Sequence, residues 1–305
     1  MSLLVVGSVA FDNVETPFGK VERALGGSAL YFSASASYFT QVNLVAVVGD
    51  DFPEEATDFL RSRNVDLEGL RRTEGETFCW KGRYGFDLNE AVTLDTQLNV
   101  FGDFHPELPA EYRKSSHVFL ANIDPELQLE VLRQVENPEF VALDTMNFWI
   151  ESKREALVRV LAEVDMVLIN ETEARQLAGN PNIVQAANTV LEMGPKYVVI
   201  KRGEYGALLF SRDDEPFFAP AYPLESVFDP TGAGDTFAGG VLGYLSNHGE
   251  VNADNLRQAM ILGGVMASFC VQKFSFNNLR TLEDGEIAER FKRFAKLVHF
   301  NGLES

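Results

Sequence analysis

The sequence predicts an α/β fold, a doubly wound and mostly parallel sheet flanked by helices, with a small antiparallel β lid. Three observations carry this. Six short apolar runs are continuous rather than alternating, as in strands covered on both faces. They are Leu3–Val6, Leu44–Val48, Val118–Ala121, Val141–Leu143, Met166–Ile169 and Tyr197–Ile200. Helical patterns fill the intervals between them, and that rhythm builds a sheet with helices on both sides. Residues Thr77–Phe101 break the rhythm, alternating apolar and polar side chains around Gly82, Gly85 and an Asp-Leu-Asn turn. Alternation belongs to strands with one solvated face.

The start, MSLLVVGSVAFD, has no charged leader or cleavage site and reads as a buried first strand. Helices are expected at Ala29–Phe39, Glu54–Arg63, Glu126–Val135, Lys153–Glu163, Glu171–Ala178 and Ile183–Glu192. The last third is more helical, with Gly234–Asn247, Asn255–Gln272 and Asp284–Val298. Residues from about 14–22 and 77–101 supply the lid strands, and no repeat, low-complexity tract or linker divides the chain. A single domain over residues 1–305 is the expectation. The aromatic pair Phe148-Trp149 reads as core packing.

Composition narrows the function. Lys and Arg total 26 against 45 Asp and Glu, a formal charge of −19. Such a field repels nucleic acid and anionic lipid, so neither is an expected partner. An anionic substrate would need local compensation from a metal ion, a helix N-terminus or a few placed cations. Cys79 and Cys270 make neither a disulfide framework nor a zinc site, and the four histidines show no ligand spacing. No apolar run approaches the roughly 20 residues that span a bilayer. A reducing cytoplasm is the simplest compartment.

The strongest chemical signal is Asp229-Pro-Thr-Gly-Ala-Gly-Asp235-Thr-Phe-Ala-Gly-Gly240. Gly232 and Gly234 let consecutive N–H groups point at an anion. A helix of small residues follows at once, so those amides lie at a helix N-terminus, which favours phosphate. Asp235 in the first turn can then accept a hydroxyl proton during phosphoryl transfer. A bare Gly-Ala-Gly-Asp would be only a capped turn; the longer string says more.

That string resembles the second motif of the ribokinase-like (PfkB) family of sugar and nucleoside kinases. Other landmarks of the family stand in order. Gly7-Ser-Val-Ala-Phe-Asp12 resembles the first strand ending in a substrate-binding aspartate, and Gly26-Gly27 a Gly-Gly motif before a helix. Val48-Gly-Asp-Asp51 resembles a Gly-Asp-Asp segment, Asn170-Glu-Thr-Glu173 an Asn-x-x-Glu element, and Lys201-Arg-Gly-Glu-Tyr-Gly206 a nucleotide-loop strand end.

The resemblance implies a kinase that moves the γ-phosphoryl of ATP to a sugar hydroxyl, with Asp235 as base and Gly232, Ala233 and Gly234 as the anion cradle. Asp12, Gly26, Gly27 and Tyr31 would bind substrate. Asn170, Glu173, Lys201, Gly203, Gly206 and Thr231 would bind nucleotide, with Mg²⁺ held by Glu173 through water. Asp229 matches a position that helps bind a monovalent cation, which would be K⁺. Read without the family, Asn170 and Glu173 make a helix capping box.

Two departures stand out. Tyr31 occupies a place where many family sugar kinases have Asn, leaving room for an aromatic contact with a base or ring. Lys201-Arg202 replaces a small polar and an apolar residue, adding two cations that could offset phosphate charge. Gly-Gly-Ser-Ala-Leu-Tyr-Phe and Ala142-Leu-Asp-Thr-Met-Asn147 also resemble a subgroup related to inosine–guanosine kinases, making a purine nucleoside the alternative acceptor. A nucleotide-binding module without turnover is a third reading, disfavoured by the presence of Asp235. A dinucleotide dehydrogenase is weaker still, because no Gly-x-Gly-x-x-Gly follows the first strand. The projecting lid suggests a homodimer formed through it.

Overall fold

Continuous apolar strands need two cores, one on each face of a sheet, and the computed structural model of the chain shows both. It describes residues 2–299; Met1 and residues 300–305 of the expected domain lie outside them. Strand β1 (Ser2–Val6) leads into a hairpin, β2 (Ala10–Thr16) and β3 (Gly19–Gly26), which leaves the main sheet. Helix α1 (Ser28–Ala36) returns the chain to β4 (Gln41–Val48). After α2 (Glu54–Ser62) come short strands β5 (Val65–Asp66) and β6 (Leu70–Arg72), then a second hairpin, β7 (Cys79–Tyr84) and β8 (Ala91–Gln97).

Strand and helix then alternate: β9 (His117–Leu120), α3 (Pro125–Leu132), β10 (Phe140–Asp144), α4 (Asn147–Ser152), α5 (Arg154–Leu161), β11 (Met166–Asn170), α6 (Glu171–Ala178), α7 (Ile183–Glu192) and β12 (Tyr197–Lys201). Antiparallel β13 (Ala207–Ser211) and β14 (Phe217–Ala219) extend the edge. Helices α8 (Ala233–His248), α9 (Ala253–Cys270), α10 (Asn277–Arg280) and α11 (Asp284–Val298) complete the described chain.

The main sheet has ten strands in the order β14-β13-β12-β11-β10-β9-β1-β4-β5, with β6 also on β4. Pairing is parallel from β12 through β4. Alternate residues of β1 serve opposite cores. Leu3 and Val5 pack with α1, α8 and α9, while Leu4 and Val6 pack with residues of α3, α5, α6 and α7. The chain leaves β1 toward β4 and later returns on the other side at β9. That reversal opens a crevice beyond the carboxyl ends of the strands, where ligands bind in such folds.

Helices α1, α8 and α9 approach closely because small residues meet between them. A Cβ on Gly239 would stand 2.5 Å from the Phe32 carbonyl oxygen, and one on Gly240 2.9 Å from Gly263 Cα. This packing seats the N-terminus of α8 at the crevice.

The lid corrects the expectation in three ways. It is a mixed sheet in the order β3-β2-β7-β8, antiparallel within each hairpin but parallel between β2 and β7. The two hairpins come from distant parts of the chain, so their mutual direction is set by where each leaves the main domain. Asp12 lies inside β2 rather than at the end of the first strand. Residues 99–103 form a 3₁₀ turn and end the second hairpin early. A fourth correction concerns Phe148, which is 55% exposed, not core.

Adding bulk between α8 and α9 should be felt directly. Gly263→Leu is expected to lower unfolding stability by ~1–3 kcal/mol, because a Cβ there already meets the Phe237 carbonyl oxygen at 2.8 Å. Urea denaturation of the two proteins measures it; equal midpoints would contradict the packing account.

Candidate active site

Strand ends and one helix N-terminus converge on the crevice. Gly232 caps α8 with φ +73, a left-handed conformation that favours glycine. Its α-carbon sits against the Tyr31 ring, and a Cβ would lie 2.3 Å from Tyr31 Cγ. No side chain caps this helix. The Ala233 amide donates to the Pro230 carbonyl at 3.1 Å, which removes it from the expected cradle. The amides of Gly234 and Asp235 remain at the helix end, where partial positive charge collects.

Asp235 stands in this first turn. Burial pushes its carboxyl up to about 8, and Asp144 and Asp12 add to the shift while Lys201 opposes it. Lys201, at the end of β12, is the local counter-charge. Its Nζ lies 2.8 Å from Asp144 Oδ2, and a Cβ on Gly234 would be 3.1 Å from that Nζ. The ammonium therefore reaches the anion cradle itself. Burial works against its charge, yet Asp144 and Glu173 hold its proton affinity above the ordinary lysine value.

Asn170 and Glu173 form the expected capping box at α6, with N–H to carboxylate and amide oxygen distances of 2.7 and 2.8 Å. Burial raises Glu173 to about 7, helped by the Asp144 charge and opposed by Lys201. Arg202 points elsewhere, pairing with Glu171 at 2.6 Å. Gly203 and Gly206 flank the tight turn after β12, where the Arg202 amide donates to the Gly206 carbonyl at 2.7 Å.

Asp12 faces the crevice from β2 and is buried. Burial raises it to about 7, with Asp229 adding and the Gly27 amide opposing. Gly26 is required at its side, since a Cβ there would lie 1.9 Å from Asp12 Oδ2. Tyr31 is 1% exposed and its ring supports Gly232, so no open ring face meets a substrate. Its hydroxyl is buried and has no hydrogen-bond partner among the described residues. Asp229 accepts from the Thr231 amide at 2.9 Å and the Ser275 amide at 3.0 Å, one per oxygen, and so anchors the loop. Thr231 turns its hydroxyl toward the lid, 3.4 Å from the Tyr84 hydroxyl.

Sequence reasoning missed Asp144 and Tyr84. Asp144 ends the apolar run at β10, and a carboxylate at such a strand end is a usable signal. Tyr84 could have been found by counting in twos from Trp80 along the alternating stretch. Asp51 has a role beyond its motif: it accepts from Thr77 Oγ1 at 2.6 Å and from Arg23 at 2.8 Å, tying both lid hairpins to the core.

The family's profile matches residues 2–282, described as pfkB family carbohydrate kinase. The chain belongs to the PfkB family. A PfkB kinase of this kind transfers phosphoryl from ATP to an alcohol group of a sugar or nucleoside. The chain is 32% identical over 251 residues to a cytidine kinase of Thermococcus kodakarensis, covering 79% of this chain and 87% of that one. It is 31% identical over 254 residues to a deoxyribokinase of Salmonella typhi, covering 79% and 80%. The aminoimidazole riboside kinase of Salmonella enterica, solved with aminoimidazole riboside and an ATP analog, shares the fold. Its TM-score is 0.76 at 19% identity, covering 95% of this chain and 100% of that one.

ATP and Mg²⁺ are typical of PfkB kinases, and the residues here fit them. Among the described residues no group of three or more His, Cys, Asp or Glu could hold a metal alone. Lys201 and the α8 amides suit the phosphates. Among the described residues no helix is long and apolar enough to cross a membrane.

The raised carboxyls set a pH dependence of stability. Asp235 binds its proton more tightly when folded (about 8) than in the unfolded chain (about 4), so its contribution is complete below the unfolded value. It is lost as pH rises through about 8. Asp235→Asn is therefore expected to melt higher than the parent at pH 8.5, with the difference shrinking toward pH 5. A difference that stays constant with pH would refute a raised carboxyl at this position.

Proposed function

We propose that Asp235 is the base of this PfkB kinase and that Asp12 holds the acceptor sugar so that its primary hydroxyl meets Asp235. The observation that carries this is the joint placement of Asp235, Lys201 and an uncapped α8 N-terminus across the crevice from Asp12. Bound ATP would supply the γ-phosphoryl group, with Mg²⁺ shielding its charge through Glu173 and water. Asp12 accepts hydrogen bonds from sugar hydroxyls and orients them. Asp235 takes the proton of the attacking hydroxyl as the new P–O bond forms and the bond from the γ-phosphorus to the β,γ-bridging oxygen breaks, releasing ADP. Lys201 and the amides of Gly234 and Asp235 stabilise negative charge on the transferred group.

A nucleoside is favoured over a free sugar by the cytidine kinase relative, whose acceptor carries a base. The cytidine kinase does not extend this to the purine subgroup, and the Tyr31 ring, which left room for a contact with a base, is covered by Gly232. The transfer step calls on no monovalent cation; Asp229 accepts one amide on each oxygen and keeps a further acceptor site on each. A dimer would form through the lid's outer strand β8, which leaves Val92 57% and Leu94 45% exposed.

Asp235→Asn is expected to cut turnover by ~10²–10⁴ while leaving ADP binding intact, as loss of a general base does. Coupled-assay kinetics with Mg-ATP and calorimetry with ADP check it; near-parental turnover would remove Asp235 from the role. In the parent, kcat/KM should climb as pH rises through 7 to 8, because the base acts only when its raised carboxyl has ionised. A flat profile from pH 5.5 to 9 would contradict that.

A further inference from the structure

The inner face of the lid carries a group that phosphoryl transfer does not use. Parallel pairing sets Asp12 beside Trp80 and Val14 beside Gly82. Residues paired across a ladder share a face, and side chains alternate along each strand. Trp80, Gly82 and Tyr84 therefore line the same face as Asp12. Lys81 and Arg83 fall on the opposite, outer face and are exposed.

The Trp80 indole lies flat along this face. A Cβ on Gly82 would stand 2.0 Å from Trp80 Cη2 and 2.3 Å from Cζ2, so the ring occupies the space that glycine leaves. Its Nε1–H donates to Thr93 Oγ1 at 3.2 Å, which fixes the plane of the ring. Trp80 is half-buried and belongs to neither hydrophobic core. Core packing does not account for it.

Tyr84 continues the wall. Burial raises its hydroxyl's proton affinity, as do the charges of Asp229, Asp12 and Asp235. The hydroxyl lies 3.4 Å from Thr231 Oγ1, in the loop that leads to Asp235.

Neighbouring strands are about 4.8 Å apart, roughly the width of one sugar ring. A sugar held by Asp12 would place its substituent, not itself, over Trp80. The cations of β7, Lys81 and Arg83, lie on the other face, so the strand offers that substituent the flat Trp80 ring. A phosphate is disfavoured there and a flat aromatic base is suited. We propose that Trp80, backed by Tyr84, is a stacking platform that selects a nucleoside acceptor, binding its base while Asp12 holds the ribose. The inference rests on the reading of Asp12 and Asp235 as acceptor site and base.

The sequence has two tryptophans, Trp80 and Trp149. Trp149 is bonded to Asn122 at 3.1 Å, away from the lid, so Trp149→Phe leaves Trp80 as the single reporter. In that background, titration with cytidine or inosine is expected to quench the fluorescence saturably, while D-ribose at equal concentration does not. Trp80→Ala should raise KM for the responding nucleoside about 5- to 150-fold, the range that loss of base stacking gives, with KM for ATP unchanged. Trp80→Phe, which keeps a ring, should recover most of that loss, and ADP calorimetry confirms that both variants are folded. No quenching by either nucleoside would overturn the proposal. So would equal responses to nucleoside and D-ribose, or a Trp80→Ala enzyme with parental KM. Failure of the underlying reading would look different: Asp235→Asn would keep parental turnover while the fluorescence response persisted.

Discussion

The ion pair between Lys201 and Asp144 is the constraint around which the site is arranged. The protein is strongly acidic, and its crevice gathers the buried Asp12, Asp144 and Glu173 with the half-buried Asp235. Carboxylates so placed repel one another and any phosphate that enters. Lys201 offsets them from the one position that also touches the anion cradle at Gly234. Asp144 holds the lysine there, since an unpaired buried ammonium would be costly. A net charge of −19 and an anionic cosubstrate are compatible because compensation is local, not global.

The lid extends this arrangement to both ends of the crevice. Its base is tied to the core by Asp51 through Thr77 and Arg23, so both hairpins are anchored at one carboxylate. Its tip reaches the nucleotide side. Thr172 donates to Glu90 at 2.7 Å, and Asn89 stands where a Cβ on Gly203 would be. Midway, Tyr84 meets Thr231 of the loop that leads into α8. One mixed sheet therefore carries Asp12, meets the loop before α8 and reaches the turn after β12.

The fold was legible because its physics is local. Double burial forces continuous apolar strands, and all six runs became strands of the main sheet within a few residues of their expected ends. Helices Glu171–Ala178, Ile183–Glu192 and Asp284–Val298 appear at their expected limits because caps and breakers bound them. The anion loop was legible for the same reason: its glycines and its aspartate are adjacent in the chain.

What the sequence by itself determined is thus the sheet, the α8 loop with Asp235, and the capping box of Asn170 and Glu173. Tertiary structure alone decided the rest. Asp144 and Lys201 lie 57 residues apart and meet because β10, β11 and β12 are parallel neighbours that end on one edge. Tyr31 became the seat of Gly232 because α1 and α8 pack closely, which no local pattern announces. The parallel pairing of β2 with β7 brought Trp80 beside Asp12, and strand direction between distant hairpins is set by where the main sheet releases them. Periodicity reports which face of an element is buried; it carries no information on what the other elements bring to that face.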